Sequence, residues 1–147
     1  MSDQGKKTGG CLCGAVRFEV EEPVTDFGAC HCSMCRKWAG GPSLATHNSP
    51  NVTFTGEENL ERYQSSDWAE RGFCKVCGSN LFYHLKPDGE YFMMAGAFDD
   101  DSGLEMVSQV FIDEKPDGYA FANETRNMTG AEIFALFGED GGDDVQS

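Results

Sequence analysis

Seven cysteines fall into three groups at short spacing: Cys11-x-Cys13-Gly14, Cys30-His31-Cys32-x-x-Cys35 and Cys74-x-x-Cys77-Gly78. Thiolates so spaced are metal ligands or redox groups. Two thiolates separated by two residues wrap a tight turn and approach one ion at zinc–sulfur bonding distance, and a following glycine lets the chain leave at positive φ. Cys74-Lys75-Val76-Cys77-Gly78 fits that description fully. A structural zinc takes four protein ligands, so this pair calls for a second from elsewhere, and Cys11 with Cys13 is one candidate. Cys30, Cys32 and Cys35 can then fill three corners of a tetrahedron and leave the fourth to a ligand, the mark of a working zinc. Spacing equally permits Cys32 and Cys35 to join Cys74 and Cys77, which leaves Cys11, Cys13 and Cys30. The division into four plus three holds in both arrangements.

Other chemistries compete for the same residues. A thioredoxin-like redox pair is disfavoured, because that motif opens a helix after a strand in a βαβ unit, a pattern not evident around any of the three groups. A three-thiolate site closed by His31 would make both zincs structural. Against this, His31 stands between two ligands of one loop, where its ring is poorly placed to reach the metal they share. His47 and His84 have no ligand-like spacing and are expected on strands with their ring nitrogens satisfied. Iron suits a four-thiolate site as well as zinc does, since ligand softness does not separate them.

An odd number of cysteines cannot all pair within one chain, and Met1-Ser2-Asp3-Gln4-Gly5-Lys6-Lys7 is not followed by the apolar run of an export signal. The expectation is a reduced, cytoplasmic zinc protein. A net charge of -14 would repel a phosphate backbone and an anionic membrane surface alike, which argues against nucleic acid and membrane as partners. Part of that charge sits in Glu139-Asp140-Gly141-Gly142-Asp143-Asp144, a Gly-rich acidic stretch with nothing apolar to anchor it. The expected organisation is a disordered N-terminus over 1–8, one zinc-binding domain over 9–138 and a disordered acidic tail over 139–147.

Short strands must position the cysteines. Val16, Phe18 and Val20 alternate with Arg17 and Glu19, the period of a strand with one buried face, and Pro23 ends the run. Further alternating runs occur at 52–54, 81–85 and 107–112, separated by clusters of Gly, Pro, Asn and Asp. The pattern predicts a mainly β domain of antiparallel strands. Lys86-Pro87-Asp88-Gly89-Glu90 predicts a tight turn that pairs the Leu81 strand with Tyr91-Phe92-Met93-Met94. The one clear helix signal comes late: Thr129 and Glu132 have capping-box spacing, and Ile133, Phe134 and Phe137 supply an apolar face.

Gly10-Cys11-Leu12-Cys13-Gly14-Ala15-Val16-Arg17-Phe18, Cys30-His31-Cys32-Ser33-Met34-Cys35-Arg36-Lys37 and Phe73-Cys74-Lys75-Val76-Cys77-Gly78-Ser79 together resemble the glutathione-dependent formaldehyde-activating enzymes, a family that includes centromere protein V. The resemblance extends over about residues 10 to 136 and rests on the order and spacing of the cysteines. It implies a β-tent of small antiparallel sheets around zinc knuckles, with a short C-terminal helix. It also implies two zinc ions per chain: a structural one on Cys11, Cys13, Cys74 and Cys77, and a catalytic one on Cys30, Cys32 and Cys35. Val110-Phe111-Ile112-Asp113-Glu114-Lys115-Pro116-Asp117 resembles the family's final strand. The chain departs from the family pattern at Gln109, where His is frequent, and at Gly118, where Trp is expected, so a different pocket wall is anticipated there.

The implied activity is a carbon–sulfur lyase: a small-molecule thiol such as glutathione condenses with formaldehyde or another small aldehyde, or the adduct is cleaved. The carboxylates of glutathione need cations, and Arg36 and Lys37 beside the ligand loop are the nearest candidates. Trp38, Trp68, Phe73 and Phe82 are candidate pocket aromatics, although isolated aromatics of a β protein more often lie in the core. The alternative is a non-catalytic zinc-binding module for a protein or a thiol, since fold and metal site do not by themselves specify a reaction.

Overall fold

A computed structural model describes residues 6–47, 49–87 and 89–137. Eleven strands and two short helices build three sheets within the described residues, and the chain divides into two compact units.

The first unit comprises Met1–Asp26 and Ala45–Leu104. Its smaller sheet has β2 (Arg17–Val20) between β1 (Lys7–Gly10) and β5 (Val52–Thr55), antiparallel to both. The alternation read from the sequence is realised here: Phe18 and Val20 are buried while Arg17 and Glu19 stay partly exposed. The larger sheet is an antiparallel meander of β6 (Leu60–Gln64), β7 (Ala69–Cys74), β8 (Asn80–Leu85) and β9 (Glu90–Met93). The expected hairpin is its β8–β9 pair, with Phe82 opposite Met93 and Leu85 opposite Glu90. Gly89, at φ 70°, closes that turn with its N–H on the Leu85 carbonyl at 2.8 Å. Asp88 of the turn lies outside the described residues. Val16, Phe18, Val20, Leu81, Phe82, Met93 and Phe98 form the core of the unit, and the buried Cys11 and Cys74 belong to it.

The second unit comprises Phe27–Leu44 and Glu105–Ser147. Here lie most of the sheet ordered β11 (Arg126–Met128), β10 (Glu105–Val110), β3 (Asp26–Cys30) and β4 (Ser43–Thr46), with α1 (Ser33–Ala39) following β3 and α2 (Gly130–Phe137) following β11. The capping box forms as the sequence predicts. The Thr129 N–H donates to Glu132 Oε1 at 2.8 Å, and the Glu132 N–H donates to Thr129 Oγ1 at 3.2 Å. Ile133 is buried with Phe111, Cys32 and Cys35, and Met34, Val110 and Met128 pack against them.

Four features differ from expectation. β10 and β11 are parallel rather than antiparallel. The strand expected over 107–112 ends at Val110, because Phe111 takes a left-handed conformation at φ 55° and starts a 3-10 turn over Ile112–Glu114. Residues resembling a final strand beyond Val110 are therefore turn and loop. The loop expected at Cys30–Cys35 is half helix, since α1 begins inside it. Lys7 and Thr8, expected in an N-terminal tail, pair with Val20 and Glu19. Residues 1–5 and the acidic stretch 139–147 lie outside the described residues. No described helix is long and apolar enough to cross a membrane.

Candidate metal centres

In the first unit, four sulfurs converge from two turns. Cys11, Cys13, Cys74 and Cys77 place their Sγ atoms within 4.8 Å of one another. Cys11 and Cys13 are 3.7 Å apart and Cys13 and Cys74 are 3.8 Å apart. Four sulfurs at about 2.3 Å from one zinc would lie about 3.8 Å apart along each tetrahedral edge, so the spacing suits a metal and far exceeds an S–S bond.

Both turns are shaped by glycine. Gly14 and Gly78 each adopt φ 84°, and their N–H groups return to the carbonyls of Cys11 at 3.1 Å and Cys74 at 2.7 Å. Backbone N–H groups then face the sulfurs: Val16 donates to Cys11 Sγ at 3.3 Å, and Val76 and Cys77 donate to Cys74 Sγ at 3.3 and 3.4 Å. Such bonds favour thiolate over thiol. The Ser79 side chain and backbone pull Cys77 down to about 5. Cys13 is pushed up to about 11: its largest influence, a bond from Ala15, favours the thiolate, but burial and three neighbouring sulfurs outweigh it. Crowded thiols of this kind ionise together only beside a strong positive charge, which a dication supplies.

In the second unit, Cys30, Cys32 and Cys35 bring their Sγ atoms within 4.8 Å of one another. The helix start explains the convergence. Cys32 is the N-cap of α1, and its sulfur accepts the Cys35 N–H at 3.4 Å, which sets the first and fourth residues of the motif on one face. Cys30, the last residue of β3, completes the trio from the strand side. Cys32-x-x-Cys35 thus follows a strand and opens a helix, a context for a redox pair that the sequence pattern does not reveal, but a third sulfur shares the site. Hydrogen bonds from Cys32 and Cys35, with burial added, push Cys30 well above the ordinary thiol range. Among the described residues no further His, Cys, Asp or Glu group could hold a metal. Of the two pairings open to the spacing, the structure brings together Cys11 with Cys13, Cys74 and Cys77, and keeps Cys30 with Cys32 and Cys35.

His31 does not join the three sulfurs. Its ring is fully buried, with Nε2 on Gln109 Oε1 at 2.8 Å and Nδ1 on the Tyr119 hydroxyl at 2.9 Å. Burial, with help from Lys115 and Arg36 and against the Gln109 bond, holds its pKa below the ordinary histidine value. Gln109 passes the network on, since its Nε2 donates to Thr125 Oγ1 at 2.9 Å. Tyr119 stacks on His31 with centroids 5.5 Å apart. Burial most, and the charge of Cys30 after it, raise the pKa of the Tyr119 hydroxyl, while Arg36 acts the other way. Lys115 fastens this loop by donating to the carbonyls of Pro116 and Tyr119. Tyr119 was not legible as a site residue, because its contact with His31 spans 88 positions of sequence.

Arg36 is half-buried, and its Nε donates to the His31 carbonyl at 2.9 Å. Lys37 is exposed. Both lie in the last turn of α1, whose dipole favours cations there. His84 is a strand residue with Nδ1 on Glu70 at 2.9 Å, as expected, whereas His47 lies just beyond β4 with Nδ1 on Asp26 at 2.7 Å. Phe82 is core, and Trp38, Trp68 and Phe73 are partly buried.

A mainly β chain with a four-sulfur cluster on two glycine-closed turns and a three-sulfur cluster at a helix start is a protein with two candidate metal centres. Residues 6–114 match the family described as glutathione-dependent formaldehyde-activating enzyme, and the chain belongs to that family. It is 38% identical over 128 residues to an uncharacterized lyase of Schizosaccharomyces pombe, covering 85% of this chain and 92% of that one. It is 39% identical over 83 residues to a Halomonas elongata protein named as a candidate glutathione-dependent formaldehyde-activating enzyme, covering 50% of this chain and 53% of the relative. The crystal structure of a Rhodobacter sphaeroides protein shares the fold at a TM-score of 0.53 and 24% identity, covering 83% of this chain and 99% of that one. Membership and the lyase-named relative support an enzyme of the glutathione-related lyase kind.

Proposed function

We propose that this protein is a zinc-dependent carbon–sulfur lyase that joins a thiol such as glutathione to formaldehyde or another small aldehyde, or cleaves the adduct. The observation that carries this reading is the three-sulfur cluster of Cys30, Cys32 and Cys35 at the start of α1. A catalytic zinc keeps three protein ligands and one exchangeable position, whereas a structural zinc takes four. Cys30, Cys32 and Cys35 would hold the first kind, and Cys11, Cys13, Cys74 and Cys77 the second, within a zinc-binding domain over 9–138. Zinc at the three-sulfur site supplies a lowered pKa to a coordinated thiol, or polarises a carbonyl oxygen.

The chain's own groups select and orient the thiol. Arg36 follows Cys35 in sequence and is held at Nε by the His31 carbonyl, which restrains its guanidinium. A planar fork held in this way suits a carboxylate such as those of glutathione. Lys37, exposed and flexible, adds charge rather than geometry. This local positive spot stands out against a chain of net charge -14, which disfavours nucleic acid and anionic membrane partners. Seven thiols kept as ligands fit a reducing compartment such as the cytoplasm.

Native mass spectrometry with and without glutathione tests the reading by counting metal and thiol together. The expected species has two zinc ions and one glutathione, and a matching assay shows saturable acceleration of adduct formation that Cys32→Ser abolishes while the fold persists. Thiol binding without acceleration over the metal-free background would instead make the chain a binding module.

A further inference from the structure

One 3-10 turn holds the start of both helices. Over Ile112–Glu114, Asp113 Oδ1 accepts the N–H of Gly130, the first residue of α2, at 2.9 Å, and Glu114 Oε1 accepts the N–H of Ser33, the first residue of α1, at 3.0 Å. Such leading N–H groups have no partner inside their own helix. The turn is anchored at its base: Phe111 is left-handed, its ring is buried with Cys32, Cys35 and Ile133, and its carbonyl accepts the Glu114 N–H at 2.9 Å. Ser33 lies inside the Cys30–Cys35 ligand loop, 81 positions from Glu114. The peptide group that joins Cys32 to Ser33 is therefore gripped on both sides, since its carbonyl accepts the Arg36 N–H at 3.0 Å while its N–H meets the Glu114 carboxylate. That plane sets the ψ of Cys32, 158° at the helix start. The preceding side of Cys32 is tied as well, because the His31 N–H donates to the Val110 carbonyl at 3.1 Å.

We infer that Glu114 is a positioning residue for the three-sulfur site: through the Ser33 N–H it fixes the backbone of Cys32, and so holds that sulfur where it meets one metal ion together with Cys30 and Cys35. This rests on the reading of the trio as an open zinc site and specifies what preforms it. Three thiolates repel one another, so a loop free to relax spreads them, and a bond that keeps the loop in its ligating shape registers as metal affinity. A carboxylate suits the task. It accepts a backbone N–H at a helix start with about twice the strength of a neutral oxygen. The adjacent cation does not draw it away, since the Lys115 ammonium donates to the carbonyls of Pro116 and Tyr119.

Cobalt(II) is the probe, because its visible absorption reports thiolate ligation and tetrahedral geometry. The full chain, with zinc kept on the four-sulfur site and the three-sulfur site emptied by mild chelation, is titrated with it. Glu114→Ala should weaken cobalt binding about tenfold and shift the absorption bands. Glu114→Gln keeps an acceptor oxygen at the same reach, so it should stay within about threefold of the wild type and show wild-type bands. Asp113→Ala removes the twin bond, to α2, and should melt lower while binding cobalt as the wild type does. Wild-type affinity in Glu114→Ala overturns the inference. So does a glutamine variant as weak as the alanine one, which would assign the effect to charge. An Asp113→Ala variant that weakens cobalt equally overturns it too, because the loss would then be a general loosening of the turn. A wild type that takes up no second ion would bring down the metal reading of the trio and this inference with it. Uptake that is equal in the wild type and Glu114→Ala brings down this inference alone.

Discussion

The sulfur of Cys32 accepts the backbone N–H of Cys35 at 3.4 Å, so a single side chain both starts α1 and contributes to the three-sulfur cluster. The two roles make different demands. Capping needs a short acceptor, which oxygen satisfies better than sulfur, whereas zinc binding in this trio needs a soft thiolate.

Serine and alanine at position 32 therefore separate them. Cys32→Ser should keep the helix start and lose the second metal ion. Cys32→Ala should lose both and melt lower, by about 1 kcal/mol relative to serine, the usual cost of an N-cap. Chemical denaturation of the two variants with zinc kept on the four-sulfur site checks the difference. Equal stabilities would mean that the cap contributes nothing.

Substitution should also distinguish the two clusters from one another. Cys74 is buried among Phe18, Leu81 and Phe82, so Cys74→Ser removes a ligand and places a hydroxyl in a core. Structural zinc in small peptides is coupled to folding by about 10 kcal/mol or more, as large as a whole domain's stability. Cys74→Ser should unfold at ordinary temperature, whereas Cys35→Ser should stay folded and lose thiol binding. Mild chelation should likewise remove one ion before the other, because only the three-sulfur site offers a corner to a competing ligand. Metal release followed against circular dichroism checks both expectations.

How much of this was legible varies by element. The four-plus-three division was visible because chelating turns are local: glycine after Cys13 and after Cys77 announces a left-handed exit that the backbone then makes. The Val16–Val20 strand and the Thr129–Glu132 cap were visible for the same reason. α1 was hidden because its buried residue is Cys35, which carries no apolar periodicity, and because seven residues make barely two turns. β1 was hidden because Gly9 and Gly10 have no side chains to alternate. Gly9 lies so close to the Phe18 ring that a Cβ would meet it at 2.5 Å. The partners of His31 and Arg36 come from distant segments or from the backbone, which no spacing rule reports.

Acid should act on the first unit through Glu70. Its Oε2 accepts from His84 on β8 at 2.9 Å and from Arg62 on β6 at 2.8 Å, while Arg62 also reaches the Tyr91 hydroxyl on β9 at 3.2 Å. Burial opposes ionisation of Glu70, but the bonds from His84 and Arg62 prevail and hold the carboxyl below its ordinary range. A depressed folded pKa contributes stability above the unfolded value of about 4.3 and loses it as the pH falls through the folded value. Glu70→Gln should flatten that acid limb and cost about 1–3 kcal/mol at neutral pH, since Arg62 keeps its charge over the Phe82 ring without a counter-ion. Melting curves between neutral pH and pH 3 check the slope. An unchanged acid limb in the variant would assign acid sensitivity to other carboxylates.

Glutathione binding should depend on sulfur and carboxylates separately. If the thiol meets zinc as thiolate, binding releases a proton and strengthens as the pH rises toward the free thiol value of about 8.5. S-methylglutathione has the same carboxylates and no ionisable sulfur, so it should bind much more weakly than glutathione. Arg36 supplies the other half: its Nε is committed to the His31 carbonyl, which leaves a fixed fork for a carboxylate. Arg36→Gln should weaken glutathione by about tenfold or more, and should barely affect 2-mercaptoethanol, which has no carboxylate. Added salt should weaken glutathione in the wild type and much less in the variant, because the field of one cation is what salt screens. Calorimetry across pH, salt and the three ligands checks these together. Equal affinity for glutathione and its S-methyl derivative would mean that no metal contacts the sulfur, and the carbon–sulfur lyase reading would then fall. An Arg36→Gln variant that weakens both thiols alike would instead show Arg36 acting through the His31 carbonyl it holds, as a brace for the cysteine loop rather than a contact for the ligand.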